Sequence, residues 1–380
     1  MTTPDIQPDI LPDILIVGGG MAGFSLAARL VGRARVTLIE QEALPGFHAT
    51  GRSVAFWNES YGGPAIQPLT TASGPLLAAP DPDFSERSFL AARRAIHVGR
   101  AADAGLAAAM LRDFAASGVA LTRMDRDALA ASLPGLQPDW TVGLAEPSCM
   151  DIDVAGLLAA CRRAARRGGL DLRLDTRLLA ARRVGGGWQV ETSTGPLSCA
   201  IIIDAAGAWA DDVARRCGVG PLGITPYRRT VVQLRCPDAP AQFPLVVGLP
   251  GTFYFKPEGA GHLWLSPHDE TPDTPRDVAP EELDVALAIE RFRAVVDWRI
   301  EAIEHKWAGL RSFAPDRRPV YGYDPRAPGF FWFAGQGGFG IQTAPAAALI
   351  GAALVLKAAL PAPVAAINIA AYAPDRLLAR

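Results

Sequence analysis

The 380-residue chain carries 37 basic and 39 acidic side chains, a formal net charge of −2, and 49% of its residues are hydrophobic. Near-neutrality excludes the electrostatic footprint of a nucleic-acid binder, and the length predicts two domains with a sizeable core and a small molecule as partner. Five cysteines (Cys149, Cys161, Cys199, Cys217 and Cys236) stand singly, without the paired spacing of a redox disulfide or a zinc site, and are expected to be buried small hydrophobes.

The chain opens on "MTTPDIQPDILPDI", in which Pro-Asp-Ile recurs three times. Acidic residues and prolines stand where a secretory signal needs positive charge and then an apolar core, so a cytoplasmic location is expected, with peripheral membrane contact left open. Residues 1–9 read as a flexible leader. Ile14–Val17 is a short apolar run, as a buried parallel strand should be, and Gly18, Gly20 and Gly23 then form G-x-G-x-x-G before a helix to about Val31. A second strand, "RVTLIE", ends at Glu40, 17 residues past Gly23. The first glycine makes the tight turn, the second admits a pyrophosphate to the backbone, the third lets helix and strand pack, and the acid suits a ribose hydroxyl. This unit predicts an adenine dinucleotide, but the turn alone cannot tell NAD from FAD.

From Asp151 a helix is expected to about Arg167, capped by Asp151 or Asp153, with Val154, Leu157, Leu158 and Cys161 on one face. A hairpin through Gly185-Gly186-Gly187 follows, and then "CAIIIDAAGAWADDVARRCG", a buried strand, a small-residue turn and a helix. That stretch reads as a return to the first sheet, which makes the nucleotide domain discontinuous. Between Pro221 and Phe313 the pattern changes to strands bounded by Pro, Gly or Asp, with one helix over Pro280–Asp297. Residues 268–280 read as an exposed surface connection, a lid being the alternative. The last element, "GFFWFAGQGGFGIQTAPAAALIGAALVL", runs from an apolar strand through a glycine-rich loop into a long apolar helix, whose N-terminus would attract negative charge. Its apolar run, Ala344–Leu356, contains Pro345 and is too short to span a bilayer, so no transmembrane segment is expected.

Four stretches together carry a resemblance over nearly the whole chain: the N-terminal βαβ unit, "PGFHATGRSVAFWNESYGG" at 45–63, "DAAGAWADDVA" at 204–214, and "WAGLRSFAPDRRPVYGYD" with "FFWFAGQGGFGIQTA" near the C-terminus. They resemble the FAD-dependent amine and amino-acid oxidoreductases of the D-amino acid oxidase and glycine oxidase type, most of all the bacterial D-arginine dehydrogenase branch. The resemblance implies an α/β fold in which a discontinuous Rossmann-like FAD-binding domain (10–85, 145–217 and 318–380) joins a mixed α+β substrate-binding domain built on an antiparallel sheet (86–144 and 218–317). It implies non-covalent FAD, since "LRSFAPDRRP" lacks the cysteine that covalently flavinylated relatives carry. It puts Gly18, Gly20, Met21, Ala22 and Gly23 on the pyrophosphate, and Glu40 with Gln41 on the adenosine. It implies cofactor contact by His48, Thr50, Ala206, Gly207 and Trp209, passes Arg52 and Ser53 near the flavin, and sets Gly337, Gly338, Phe339, Gly340, Ile341 and Gln342 facing it.

The chemistry implied is hydride transfer from a substrate Cα to flavin N5, giving an imino acid that hydrolyses to a 2-keto acid and ammonia. The G-x-G-x-x-G spacing recurs at 218–223 and 335–340, but no second βαβ unit with its acid is read and no separate NAD(P)H site is expected, so the organic substrate itself should reduce the flavin, and "AGQGGFG" stands where hydroxylating flavoproteins usually show Gly-Asp. A planar guanidinium suits a carboxylate, and Arg311 and Arg228 match carboxylate or active-site positions; Arg229, its strand neighbour, would project to the opposite side, and either could face inward. Tyr254 and Tyr61 match tyrosines that close the substrate pocket, and Gln342 matches a glutamine beside the flavin.

The likeness breaks at the side-chain pocket. Ala95 stands where the D-arginine branch carries an acid, and Phe56 stands where it carries a histidine. A cationic side chain would lack a counter-charge, so a neutral, apolar or aromatic D-amino acid is expected, an acidic one only if Arg93 or Arg94 points inward. Alternatives are another carboxylate donor, such as an N-methyl or cyclic amino acid or a 2-hydroxy acid, and a non-catalytic flavin-binding protein. The electron acceptor, oxygen or a quinone, is left open, and Lys256 is left unassigned.

Overall fold

The computed structural model describes residues 13–378, so the leader expected at 1–9 lies outside the described residues. Ile14–Val17 is apolar at every position and buried on both faces, which suits the centre of a parallel sheet. Asp13–Val17 is flanked by Arg35–Ile39 and Ile201–Asp204, and the sheet continues outward to Asp171–Arg173 on one side and to Phe330–Ala334 and Val320–Tyr323 on the other. All pairs are parallel except the last, so three widely separated stretches of chain build one sheet. The helices Met21–Leu30, Val154–Arg167 and Ala344–Val355 cover one face. The last of these is apolar all round because it is enclosed by neighbours rather than by water.

A second, nine-stranded sheet is built from Ala95–Arg100, Thr122–Met124 and Trp140–Glu146 together with strands between Thr225 and Phe313. The helix Glu282–Val295 packs beside it, its Phe292 set among Phe253, Phe255 and Trp298. Trp140–Glu146 runs across the boundary expected at 144, and a small sheet of Phe56–Trp57, Met150–Ile152 and Leu90–Ala92 joins segments from both expected domains.

The longest ladder in the molecule pairs Thr225–Arg235 with Ala302–Phe313 antiparallel, setting Arg311 opposite Tyr227 and Gly309 opposite Arg229. Its end meets the glycine-rich loop, where Phe313 bridges Gln336 and the Gly337 N–H donates to the Ser312 carbonyl at 2.8 Å. Thus the second sheet delivers its side chains to the edge of the first.

Several local expectations are corrected. Asp153, not Asp151, caps the Val154–Arg167 helix, accepting from the Gly156 N–H at 2.8 Å. The Gly185–Gly187 hairpin gains a third strand, Gly195–Cys199. The glycine-rich loop does not itself open the final helix, since turns run to Thr343 before the helix begins at Ala344. The 268–280 stretch is no plain surface connection: Thr271–Pro272 adds to the edge of Thr225–Arg235, and residues on either side of it reach the interior. All five cysteines are buried and free.

Candidate active site

A cleft of about 620 Å³ runs along the carboxyl ends of the parallel strands and under the second sheet. Such strand ends are where open α/β sheets bind ligands. Gly18, Gly20, Met21 and Ala22 line one end. Gly18 has φ +111°, and a side chain there would put its Cβ 2.5 Å from the Ala205 carbonyl, so only glycine fits the turn. Gly23, expected on the pyrophosphate, does not line the cleft; it lies against the Gly18 carbonyl and lets helix and strand approach. The Glu40 carboxylate accepts from the N–H groups of Gly19 at 2.6 Å and Glu42 at 2.9 Å, which fixes it at the rim beside Gln41. Thr50 accepts from the Met21 N–H at 3.0 Å.

His48, Arg52, Ser53, Ala206, Gly207 and Trp209 line the middle. His48 meets Glu42 at 2.8 Å and lays its ring 4.6 Å from that of Trp209. Arg52 donates to the Val278 and Ala308 carbonyls at 3.1 and 3.0 Å and to Asp277 at 2.5 Å, so the 276–278 end of the supposed surface loop forms part of the wall.

Gly337, Gly338, Gly340 and Ile341 line the far end, but Phe339 and Gln342 do not. Phe339 turns into an aromatic cluster with Tyr61 and Phe313. Gln342 is buried, bonded to the Asn58 N–H at 3.3 Å, the Tyr61 carbonyl at 3.3 Å and the Thr70 hydroxyl at 2.9 Å. It fastens the loop carrying Tyr61 rather than facing the cleft.

Arg311 closes this end. Its Nη1 donates to the Tyr61 hydroxyl at 2.8 Å and its Nη2 to the Tyr254 hydroxyl at 3.3 Å. No carboxylate lies within ion-pair distance of it among the described residues. Burial disfavours its charge, but the two phenols beside it outweigh that and its pKa is raised. Burial pushes the Tyr61 hydroxyl up, yet Arg311 and Arg229 more than offset this and hold it below the ordinary tyrosine value. A Cβ at Gly338 would fall 2.7 Å from the Tyr61 hydroxyl and 3.0 Å from Arg311 Nη1, so the bare loop leaves open the space in front of the guanidinium.

The second arginine here is Arg229, not Arg228. Strand alternation turns Arg228 toward the Glu282–Val295 helix, where it meets Asp284 at 3.0 Å, Glu281 at 2.6 Å and Asp273 at 3.5 Å, away from the cleft. Arg229 lines the cleft; its Nε donates to the Asp269 carbonyl at 2.7 Å and its Nη2 to Glu270 at 3.0 Å. Its Nη1 is buried with no hydrogen-bond partner. Burial and then the neighbouring Arg311 lower its pKa. The adjacency of two arginines was the only signal in the sequence for this residue.

Around the phenols the site is apolar. Phe56 packs edge-on to Tyr61 at 5.4 Å and Tyr254 at 5.7 Å, and Ala95 is buried with both Phe56 and Tyr254. Arg93 is held by Asp151, as is Lys256 at 2.9 Å, and these three line a separate cavity.

The residues fit an extended dinucleotide: a glycine turn that excludes a Cβ, a carboxylate at the rim, an elongated cleft and a bare glycine loop at its far end. A parallel sheet with such a turn, facing across the cleft a second sheet that is antiparallel except where Leu245–Gly248 runs parallel to Ala95–Arg100, defines a dinucleotide-binding α/β protein, and corrects the purely antiparallel sheet expected there. The chain belongs to the DAO family, described as FAD dependent oxidoreductase, whose profile matches residues 13–354, and its cofactor is therefore FAD. Among solved structures it is similar to glycine oxidase from Geobacillus kaustophilus, with 22% identity, TM-score 0.82 and coverage of 95% of this chain and 98% of that one. It is similar also to L-proline dehydrogenase from P. horikoshii, with 19% identity, TM-score 0.83 and coverage of 97% and 98%. These likenesses establish the fold. By sequence it is 29% identical over 178 residues to FAD-dependent oxidoreductase domain-containing protein 1 of Bos taurus, covering 43% of this chain and 37% of that protein. The chain thus spans about a third of the length of the curated relatives it first matches. No helix among the described residues is long and apolar enough to cross a membrane.

Proposed function

We propose that the protein oxidatively deaminates a D-amino acid with an uncharged side chain. The observation that carries this reading is the pair of arginines facing the far end of the cleft: half-buried Arg311 with no carboxylate partner, and buried Arg229 with an unpaired Nη1. A buried cation without a counter-charge is costly, and a substrate carboxylate supplies that charge in the planar geometry a guanidinium prefers.

When bound, FAD supplies the acceptor for the Cα hydride, and the imino acid left behind hydrolyses to a 2-keto acid and ammonia. The protein's own work is positioning. Arg311 grips the carboxylate while Tyr61 and Tyr254 hold its fork in plane, and Arg229 Nη1 adds a second donor. Glu270 is shared between Arg229 and Arg317, and Asp269 Oδ1 lies 3.9 Å from Arg229, so with Arg311 this end keeps one surplus positive charge, which a single carboxylate neutralises. Phe56, Ala95 and the two tyrosine rings offer a side chain no anion, which favours neutral side chains over basic ones. The D configuration rests on the likeness of the four sequence stretches to D-amino-acid enzymes.

The test is anaerobic titration of the purified flavoprotein with D- and L-amino acids, N-methyl and cyclic amino acids, and 2-hydroxy acids. The flavin band should bleach with neutral D-amino acids and not with D-arginine. Bleaching only by an N-substituted or hydroxy acid would replace the proposed donor, and a flavin that no small carboxylate bleaches would favour a non-catalytic role. Aerobic turnover that yields hydrogen peroxide, against turnover that requires an added quinone, identifies the acceptor.

A further inference from the structure

We propose that His268 accepts a hydrogen bond from the substrate's α-amine, so that the site reads the amine as well as the carboxylate; this rests on the amino-acid reading above. His268 follows the strand His262–Ser266 and has φ 55°, a left-handed conformation that is uncommon for a residue other than glycine and that clusters at functional sites. Its ring lies 5.7 Å from that of Tyr254 and 6.2 Å from that of Tyr61, the two phenols that hold Arg311. The next two residues hold Arg229, Asp269 through its carbonyl and Glu270 through its carboxylate. The imidazole is therefore built into the same wall as both arginines.

Its tautomer follows from one contact. Nδ1 meets the Gly251 carbonyl, which can only accept, so Nδ1 carries the proton and a neutral ring presents its lone pair at Nε2. Burial, and then Arg229 and Arg311, push the imidazole down to about 2, so the ring stays neutral at any working pH. Among the described residues Nε2 takes no hydrogen bond.

The acceptor side chains nearest the arginines, Asp269 and Glu270, are already engaged by Thr230, Arg229 and Arg317. Arg229 and Arg311 have no acceptor atom, and the Tyr61 and Tyr254 hydroxyls already accept from Arg311, which leaves each its O–H to donate. A free amino acid brings the opposite needs on neighbouring atoms, a carboxylate that accepts and an amine that donates. With the carboxylate on Arg311, the His268 lone pair answers the amine. Holding the amine by its N–H leaves the nitrogen lone pair free to form the imine.

The variant His268→Asn is suited to the test. Asparagine tolerates the left-handed conformation and keeps an N–H where Nδ1 meets the Gly251 carbonyl, but has no atom at the Nε2 position. In the FAD-loaded enzyme, KM for the best amino acid should rise about tenfold, while the dissociation constant of the same carbon skeleton without its amine, read from the flavin spectrum, stays within about twofold of wild type. Equal losses for both ligands would mean that His268 only shapes the pocket, and no loss for either would mean that the amine is held elsewhere; each overturns the assignment. If no amino acid reduces the wild-type flavin, the functional reading falls together with this one. Normal reduction of wild type with an unaltered variant removes the His268 assignment alone.

Discussion

At the scale of single residues, the site is governed by what surrounds each cation. Arg228 and Arg229 are neighbours on one strand with opposite surroundings, the first among Asp284, Glu281 and Asp273, the second facing the cleft with an unpaired Nη1. Arg229→Gln should raise KM for the amino acid about tenfold or more with only a small fall in thermal midpoint, because a substrate contact is lost while Glu270 keeps Arg317, and Asp269, 3.9 Å from Arg229, keeps the Thr230 N–H and hydroxyl. Arg228→Gln should do the reverse: Asp284 loses its buried partner, the thermal midpoint falls by several degrees, and KM for substrate holds. Paired melting curves and steady-state kinetics on the two variants distinguish these outcomes. Arg311→Met removes the guanidinium itself and should lower the kcat/KM of flavin reduction by about 100-fold or more, measured by anaerobic stopped flow, with the flavin retained. The sequence held both arginines of the pair but not the direction of either, since alternation assigns opposite faces without saying which face is the pocket. Only the position of the Glu282–Val295 helix resolves it.

Loops and strand ends decide how the site is reached. The glycine loop at 337–340 works by what it lacks, and Gly338→Ala would place a methyl group between the loop and the Tyr61–Arg311 pair. That variant should fold and bind FAD but lose most of its substrate affinity, seen as a raised KM with an unchanged melting curve. The βαβ unit was legible because its signal is local: strand, glycine turn, helix and acid follow one another within 28 residues of chain, from Asp13 to Glu40. The 268–280 segment was not legible, because its polar and proline-rich composition suits a surface connection. What draws it inward is its partners, Arg229 for Glu270 and Arg52 for Asp277, which lie about 40 and 225 residues away in sequence. Gln342 turns away from the cleft for a related reason. Its neighbours in sequence line the cleft, but a buried amide satisfies its hydrogen bonds wherever partners exist, and those partners are on the Asn58–Tyr61 loop and Thr70.

For the whole molecule, the price of a site built from buried, unneutralised groups is stability that depends on pH. His268 titrates near 6.5 when unfolded and at about 2 when folded, so between those values the unfolded chain binds a proton that the native state refuses. Its contribution is complete above pH 6.5 and is lost as the pH falls toward 2, by roughly 1.4 kcal/mol per pH unit for a single such group. The wild-type melting temperature should therefore fall more steeply from pH 6.5 to 4.5 than that of His268→Asn, and parallel curves would contradict a neutral buried imidazole. Buried Asp269 and Asp211 act in the opposite direction, since burial raises both carboxyl groups and protonation is easier in the fold, which makes the difference between the two proteins the informative quantity.

The two sheets meet where the Phe313–Gln336 bridge joins the arginine ladder to the glycine loop, and the whole account turns on a carboxylate-bearing amine being oxidised at that junction. The direct measurement is a single anaerobic turnover: FAD-loaded protein is mixed with a neutral D-amino acid, the flavin absorbance is followed, and the organic product is identified. The account predicts bleaching of the flavin band with one equivalent of the matching 2-keto acid and one of ammonia per flavin reduced. A flavin that stays oxidised through the full amino-acid series, or that bleaches without releasing ammonia, would contradict it.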